Sequence, residues 1–134
     1  MAIDKDLDFT GKTILVTGSG RNIGRAIILA FAARGANVIM NSCTNEAEAR
    51  SVEREAQALG AKTLVVMGAA GEITTVEEMQ RRAEAPFGRV EMYVSNAARR
   101  PHKAFFDTTH EDWHFFLNQQ LTAYEVRACT HEPY

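Results

Sequence analysis

A chain of 134 residues, 46% hydrophobic and 24% charged, has the composition of a soluble globular protein long enough to bury one core. Its formal net charge is −2 with acidic and basic residues interspersed, which excludes a polyanion partner such as nucleic acid. No run approaches the ~18 apolar residues of a membrane span. The opening MAIDKDLDFTGK carries three aspartates where a leader would be apolar, and Cys43 and Cys129 lack metal-like spacing and read as free thiols. These features predict a cytoplasmic protein with no membrane, nucleic-acid or metal role.

The first element is a short, fully apolar run, Ile14, Leu15 and Val16, of the kind expected for a strand buried on both faces of a parallel sheet. It breaks into a glycine-rich turn and then a helix: TILVTGSGRNIG, Thr13 to Gly24. Gly18 lets the chain reverse as it leaves the strand, and Gly24 lets the helix lie close against the sheet. The backbone N–H groups at the helix start then lie at the positive end of the helix dipole, where a pyrophosphate would sit. The turn is thus a candidate dinucleotide site.

Ile23, Ile27, Ala30 and Phe31 recur at helical spacing, and Arg34-Gly35 supplies a basic last turn and a glycine stop. Ala36 to Met40 predicts the second strand. Asn45 and Glu48 form a capping box for a helix whose stripe is Ala49, Val52, Ala56 and Leu59, closed by Gly60. Lys62 to Met67 predicts the third strand. Thr74 and Glu77 suggest another capping box, opening a helix through Val76, Met79 and Ala83 that ends near Pro86-Phe87-Gly88. Val90 to Ser95 predicts the fourth strand. A last helix starts near Thr108 or Thr109, with Trp113, Phe116, Leu117, Gln120, Leu121 and Tyr124 on one stripe. Strands alternating with helices predict an α/β fold, a parallel sheet of about four strands with helices on both faces. The expected order, 3-2-1-4, is that of the first half of a dinucleotide-binding domain, a doubly wound sheet of the Rossmann type.

TGSGRNIG resembles the TGxxxGxG turn of the short-chain dehydrogenase/reductase family, with Asn22 where the middle glycine usually falls. SNAA, Ser95 to Ala98, stands after the fourth strand where the family has NNAG. The resemblance runs from about Phe9 to about Tyr124. It implies an NAD(P)(H)-dependent oxidoreductase acting on a small carbonyl or alcohol substrate, possibly of 3-oxoacyl type. The residues it implies for cofactor contact are Gly18, Ser19, Arg21, Asn22, Ile23, Gly24, Ser42, Cys43, Asn96 and Ala97. Gln120 takes the place of the family's auxiliary asparagine.

Cofactor choice is written at the end of the second strand, where a carboxylate binds the ribose of NAD and a basic group takes the 2′-phosphate of NADP. Asn41, Ser42 and Cys43 supply neither. Arg21, a cation in the first turn of a helix, suits a bound anion and favours NADP(H) over NAD(H). In the family a Ser and a Tyr-x-x-x-Lys carry the proton while the nicotinamide carries hydride. Here four residues after Tyr93 and Tyr124 stand Ala97 and Ala128, and Tyr134 is the final residue. Residues 1–134 therefore read as one cofactor-binding domain that stops before the catalytic segment. Such a chain is expected to be marginally stable or to self-associate through its exposed sheet edge. The alternative is a nucleotide-binding or partner-binding module without turnover.

His110-Glu111-Asp112-Trp113-His114 also spells HExxH, the pattern of zinc hydrolases. It falls at a helix start where acidic residues and a capping Thr are expected anyway, so this is the remote alternative. Arg99, Arg100, His102 and Lys103 form a basic loop around Pro101 that reads as solvated.

Overall fold

A computed structural model of the chain describes residues 7–98, 102–118 and 120. The sequence-predicted positions Arg99, Arg100, Leu121, Tyr124 and Cys129 lie outside the described residues. Four strands, β1 (Thr13–Val16), β2 (Asn37–Ser42), β3 (Thr63–Met67) and β4 (Met92–Val94), form one sheet in the order β3-β2-β1-β4. All three pairings are parallel. The helices are α1 (Asn22–Ala32), α2 (Glu46–Ala58), α3 (Ile73–Phe87) and α4 (His110–Leu117). The expected α/β class and strand order are those observed. No helix among the described residues is long and apolar enough to cross a membrane.

Alternation along the strands divides the core into two layers. Ile14, Val16, Val38, Met40 and Val65 face one side, where Ile28 and Ala32 of α1 and Ala49, Val52 and Ala56 of α2 cover them. Leu15, Ile39 and Val66 face the other, against Val76, Met79 and Ala83 of α3. The chain thus winds outward from β1 to β3 under α1 and α2, then returns over the opposite face to place β4 on the free side of β1. That reversal makes the carboxyl ends of β1 and β4 the switch point of the sheet.

Several local expectations are corrected. The buried row of α1 is Gly24, Ile28 and Ala32, while Ile23 is 69% exposed and Ala30 is exposed too. The reason is Gly24: its close seat against the sheet sets the helix rotation, one residue out of phase with the predicted stripe. Leu59 is half exposed beyond the last turn of α2. In α2, Asn45 does accept from the Glu48 amide at 3.1 Å. In α3 the predicted cap at Thr74 falls inside the helix, which starts at Ile73 after an uncapped Glu72. Thr75, not Thr74, is the buried threonine, packed where the open face of Gly68 leaves room for it. β4 is shorter than predicted because the chain after Val94 turns its next amides toward Thr17 instead of continuing the ladder.

The last helix also departs from its stripe. No residue of α4 is buried: Trp113 is 58% exposed, Phe116 and Leu117 are half-buried, and Gln120 beyond it is exposed. Periodicity marks a face fit for burial, and the described residues supply little surface opposite it. The start of α4 is nevertheless firmly closed. Thr109 Oγ1 accepts from the Asp112 amide at 3.2 Å, and Asp112 Oδ2 accepts from the Thr109 amide at 2.8 Å and from Lys103 Nζ at 2.6 Å.

Two outcomes follow from these contacts. Asn41 is 1% exposed, and its Nδ2 ties β2 to the end of β3 by donating to the Val66 and Gly68 carbonyls at 3.1 and 3.0 Å. Asn41→Ala leaves both carbonyls without that donor and should cost about 2–3 kcal/mol, read as a lower urea midpoint at unchanged slope. The Lys103 ammonium, then the Thr109 amide and hydroxyl, hold the Asp112 carboxyl down to a pKa of about 2. A depressed carboxylate stabilises the fold above its ordinary range and ceases to do so as pH falls toward the folded value. Fluorescence of Trp113, the one tryptophan, should show a wild-type acid step between about pH 4 and about pH 2 that Asp112→Asn lacks. Superimposable profiles would refute this role for Asp112.

Candidate functional site

At the switch point three backbone segments converge: the end of β1, the start of α1 and the end of β4. Thr17 leaves β1 with its amide donating to the Val94 carbonyl at 3.1 Å. Its buried hydroxyl oxygen accepts from the amides of Asn96 and Ala97, both at 3.1 Å. Asn96 replies with Nδ2, which donates to the carbonyls of Thr17 and Gly18 at 3.1 and 3.0 Å. The strand ends are therefore locked to each other by side chains where the sheet ladder has stopped.

The glycines mark where there is no room. Gly18 has φ 61, and a Cβ on it would lie 2.8 Å from Ala97 Cα. A Cβ on Gly24 would collide with the Gly18 carbonyl oxygen and lie 2.7 Å from both Asn96 Nδ2 and Ser19 Cα. Helix and turn can approach only because neither residue has a side chain. Asn22 holds φ 49, so the residue in place of the usual middle glycine adopts the left-handed region that asparagine tolerates.

Behind the turn, β2 supplies support. Ser19 is fully buried; its amide donates to the Asn41 carbonyl at 3.0 Å, and its hydroxyl accepts from the Asn41 amide at 3.1 Å. The side chain of Ser19, expected to line a cofactor, thus faces inward and braces the turn. Gly20 lies beside the same corner, for a Cβ on it would sit 3.5 Å from Ser42 Oγ and 3.4 Å from the Ala49 amide nitrogen. Ser42 is half-buried and Cys43 exposed at the end of β2. Arg21, Asn22 and Ile23 are exposed at the other rim, and Asn96 and Ala97 are half-buried on the β4 side.

The start of α1 differs from those of α2 and α4. Arg21 makes no side-chain cap and no acidic residue stands in the first turn, whereas Asn45 caps α2 and Thr109 caps α4, each followed by acidic residues. The first amides of a helix have no intrahelical partner, and they carry the positive end of its dipole. An uncapped start facing a glycine-lined corner, with one exposed arginine, suits a phosphate or pyrophosphate. The residues present therefore fit a dinucleotide.

Sequence reasoning identified the glycines, Arg21, Asn22 and the Asn96-Ala97 pair, and the structure brings these to one corner. It missed Thr17 and Asn41 as the clamps. Their signal was a polar residue at the carboxyl end of each apolar strand, a position that is buried and so must be hydrogen-bonded. Gln120 is exposed and is not joined to this corner by any contact among the described residues. The HExxH histidines lie on α4, where no group of three or more His, Cys, Asp or Glu that could hold a metal occurs among the described residues.

Comparison with known proteins agrees with this layout. Residues 12–130 match the short chain dehydrogenase family. The chain is 38% identical over 97 residues to an L-rhamnose 1-dehydrogenase (NAD(P)(+)) of Sphingomonas sp. strain SKA58, covering 72% of this chain and 38% of that protein. It is 32% identical over 125 residues to an L-rhamnose 1-dehydrogenase (NADP(+)) of Thermoplasma acidophilum, covering 86% of this chain and 49% of that one. A short-chain type dehydrogenase/reductase structure from Mycobacterium marinum superposes with a TM-score of 0.83 at 26% identity, covering 92% of this chain and 50% of that one. The chain thus spans half or less of the length of these relatives.

Gly24→Ala tests the packing at the corner. The added methyl meets two backbone atoms and an engaged amide, none of which can yield cheaply, so the variant should lose at least ~2 kcal/mol of stability. A urea midpoint equal to wild type would contradict the close approach.

Proposed function

This chain belongs to the short chain dehydrogenase family, and from that premise we propose that it is the cofactor-binding half of an NAD(P)(H)-dependent oxidoreductase acting on a carbonyl or alcohol. One observation carries the reading: the uncapped start of α1 at the sheet's switch point, with Gly18 and Gly24 clearing the approach. The first amides of α1 would receive the pyrophosphate. Gly18, Asn22, Ile23 and Gly24 shape the floor, Ser19 holds it from behind, and Asn96 and Ala97 wall the β4 side. When bound, the nicotinamide supplies hydride chemistry. The part of these residues is to bind and orient.

NADP(H) is the preferred form in this reading. Asn41, the first polar residue at the end of β2, is committed to the Val66 and Gly68 carbonyls, and neither Ser42 nor Cys43 carries the carboxylate that would hold a ribose 2′-hydroxyl. Arg21, exposed and on the residue after Gly20, is the cation available to a 2′-phosphate. Relatives named for NADP(+) and for NAD(P)(+) are in keeping with this choice.

No tyrosine in the 134 residues is followed four positions later by lysine. That observation favours a second statement about the chain as given: it binds the dinucleotide without passing a proton to a ketone. Among the described residues β4 is an outer strand of the sheet and is only half-buried. Its edge is the surface through which this chain would pair with a further segment, a second copy or a partner.

Calorimetric titration with NADPH and NADH tests the proposal. NADPH should bind more tightly, and Arg21→Ala should weaken NADPH about tenfold while leaving NADH nearly unchanged, the loss of one solvent-exposed charge-assisted contact. Absorbance at 340 nm with a panel of ketones and sugar lactones should stay constant. Failure to bind either dinucleotide by a folded chain would overturn the assignment, and a clear NADH preference would overturn the choice of cofactor.

A further inference from the structure

The function just proposed leaves one cluster of ligand-type side chains unused, on α4. His110 and His114 stand four residues apart, so their rings share one face of the helix. Both are exposed, and their Nε2 atoms lie 2.8 Å apart with the ring planes nearly perpendicular, at 87°. At that separation one Nε2 donates to the lone pair of the other, the roles depending on the tautomer. We propose that this pair is a chelate site for a divalent transition-metal ion, with both Nε2 atoms as ligands and water completing the shell.

The geometry requires little adjustment. Metal–imidazole bonds of ~2.0–2.1 Å at ordinary coordination angles place the two nitrogens about 2.9–3.4 Å apart. The present separation of 2.8 Å has to open by only a few tenths of an ångström. Both rings are on the surface, so such a movement meets no packed neighbour. Two neutral imidazoles select a borderline ion such as zinc, nickel or copper over magnesium or calcium, which prefer oxygen.

The platform is rigid where it matters. The capping box between Thr109 and Asp112 fixes the first turn, and Lys103 anchors it to the preceding loop. A cation near a helix start is opposed by the dipole, and the carboxylates of Glu111 and Asp112 in the same turn offset that. Among the described residues no group of three or more His, Cys, Asp or Glu is placed to hold a metal together, which distinguishes this two-ligand site from a zinc-hydrolase centre. Because only the helical state brings the two nitrogens together, a bound ion clips α4 shut across one turn and adds to its stability by mass action.

The test uses the chain labelled with 15N and titrated with zinc chloride in a non-chelating buffer, followed through the imidazole nitrogens. One equivalent of zinc should shift Nε2 of His110 and of His114 together, leaving His102 in place. His110→Gln and His114→Gln should each weaken zinc binding tenfold or more, and His102→Gln should not change it. Both glutamine variants replace exposed side chains, and retention of the wild-type circular dichroism spectrum checks their fold. Absence of the paired shift, coordination through Nδ1, or binding that survives both substitutions would overturn the proposal. The outcome is independent of dinucleotide binding.

Discussion

The constraint on which the rest depends is the absence of side chains at one crossing of backbones. Gly24 of α1 lies on the carbonyl of Gly18, and Gly18 in turn lies on Ala97 after β4. A methyl group at either glycine would push the helix or the outer strand away from β1. From this contact follows the rotation of α1, which puts Ile28 and Ala32 rather than Ile23 in the core. The same contact leaves a corner with the first amides of α1, which no side chain caps, on one side and the end of β4 on the other.

Close approach of backbones would be costly if their polar groups were left unpaired, and two clamps prevent that. Thr17 and Asn96 exchange bonds across the β1–β4 junction, while Ser19 and Asn41 exchange them across β1–β2. Asn41 then passes the connection to β3 through its amide. All four strand ends on this side of the sheet are therefore coupled by polar side chains, of which Thr17, Ser19 and Asn41 are buried. Clamps of this kind hold the start of α1 in one arrangement, which would lower the ordering cost of a ligand bound there.

The larger architecture was legible because it rests on strong, simple signals. Short apolar runs at regular spacing identified four strands, glycine stops separated the helices, and the alternation called for parallel strands joined by helical crossovers, while the order of the sheet came from likeness to a dinucleotide-binding domain. The site was legible through its glycines, since only a required close approach or a left-handed turn explains Gly18 and Gly24. What escaped was contact-dependent. The phase of α1 is decided by Gly24 seating on the turn, which periodicity alone does not contain. Ser19 sits among the candidate ligands in the sequence, yet its hydroxyl is taken by Asn41 from behind. Thr74 and Glu77 have capping-box spacing, but the helix starts two residues earlier, after Glu72, with Thr75 packed on Gly68. Trp113 lies on an apolar stripe that the described part of the molecule leaves 58% exposed.

The central claim is that a dinucleotide's pyrophosphate rests on the first amides of α1. The most direct measurement follows the backbone amide resonances of the 15N-labelled chain as NADPH is added. The largest shifts should fall on Arg21, Asn22, Ile23 and Gly24, with smaller ones at Ser42, Cys43, Asn96 and Ala97 and almost none along α3. Saturable shifts centred elsewhere, or none at all in a chain whose spectrum stays folded, would contradict it.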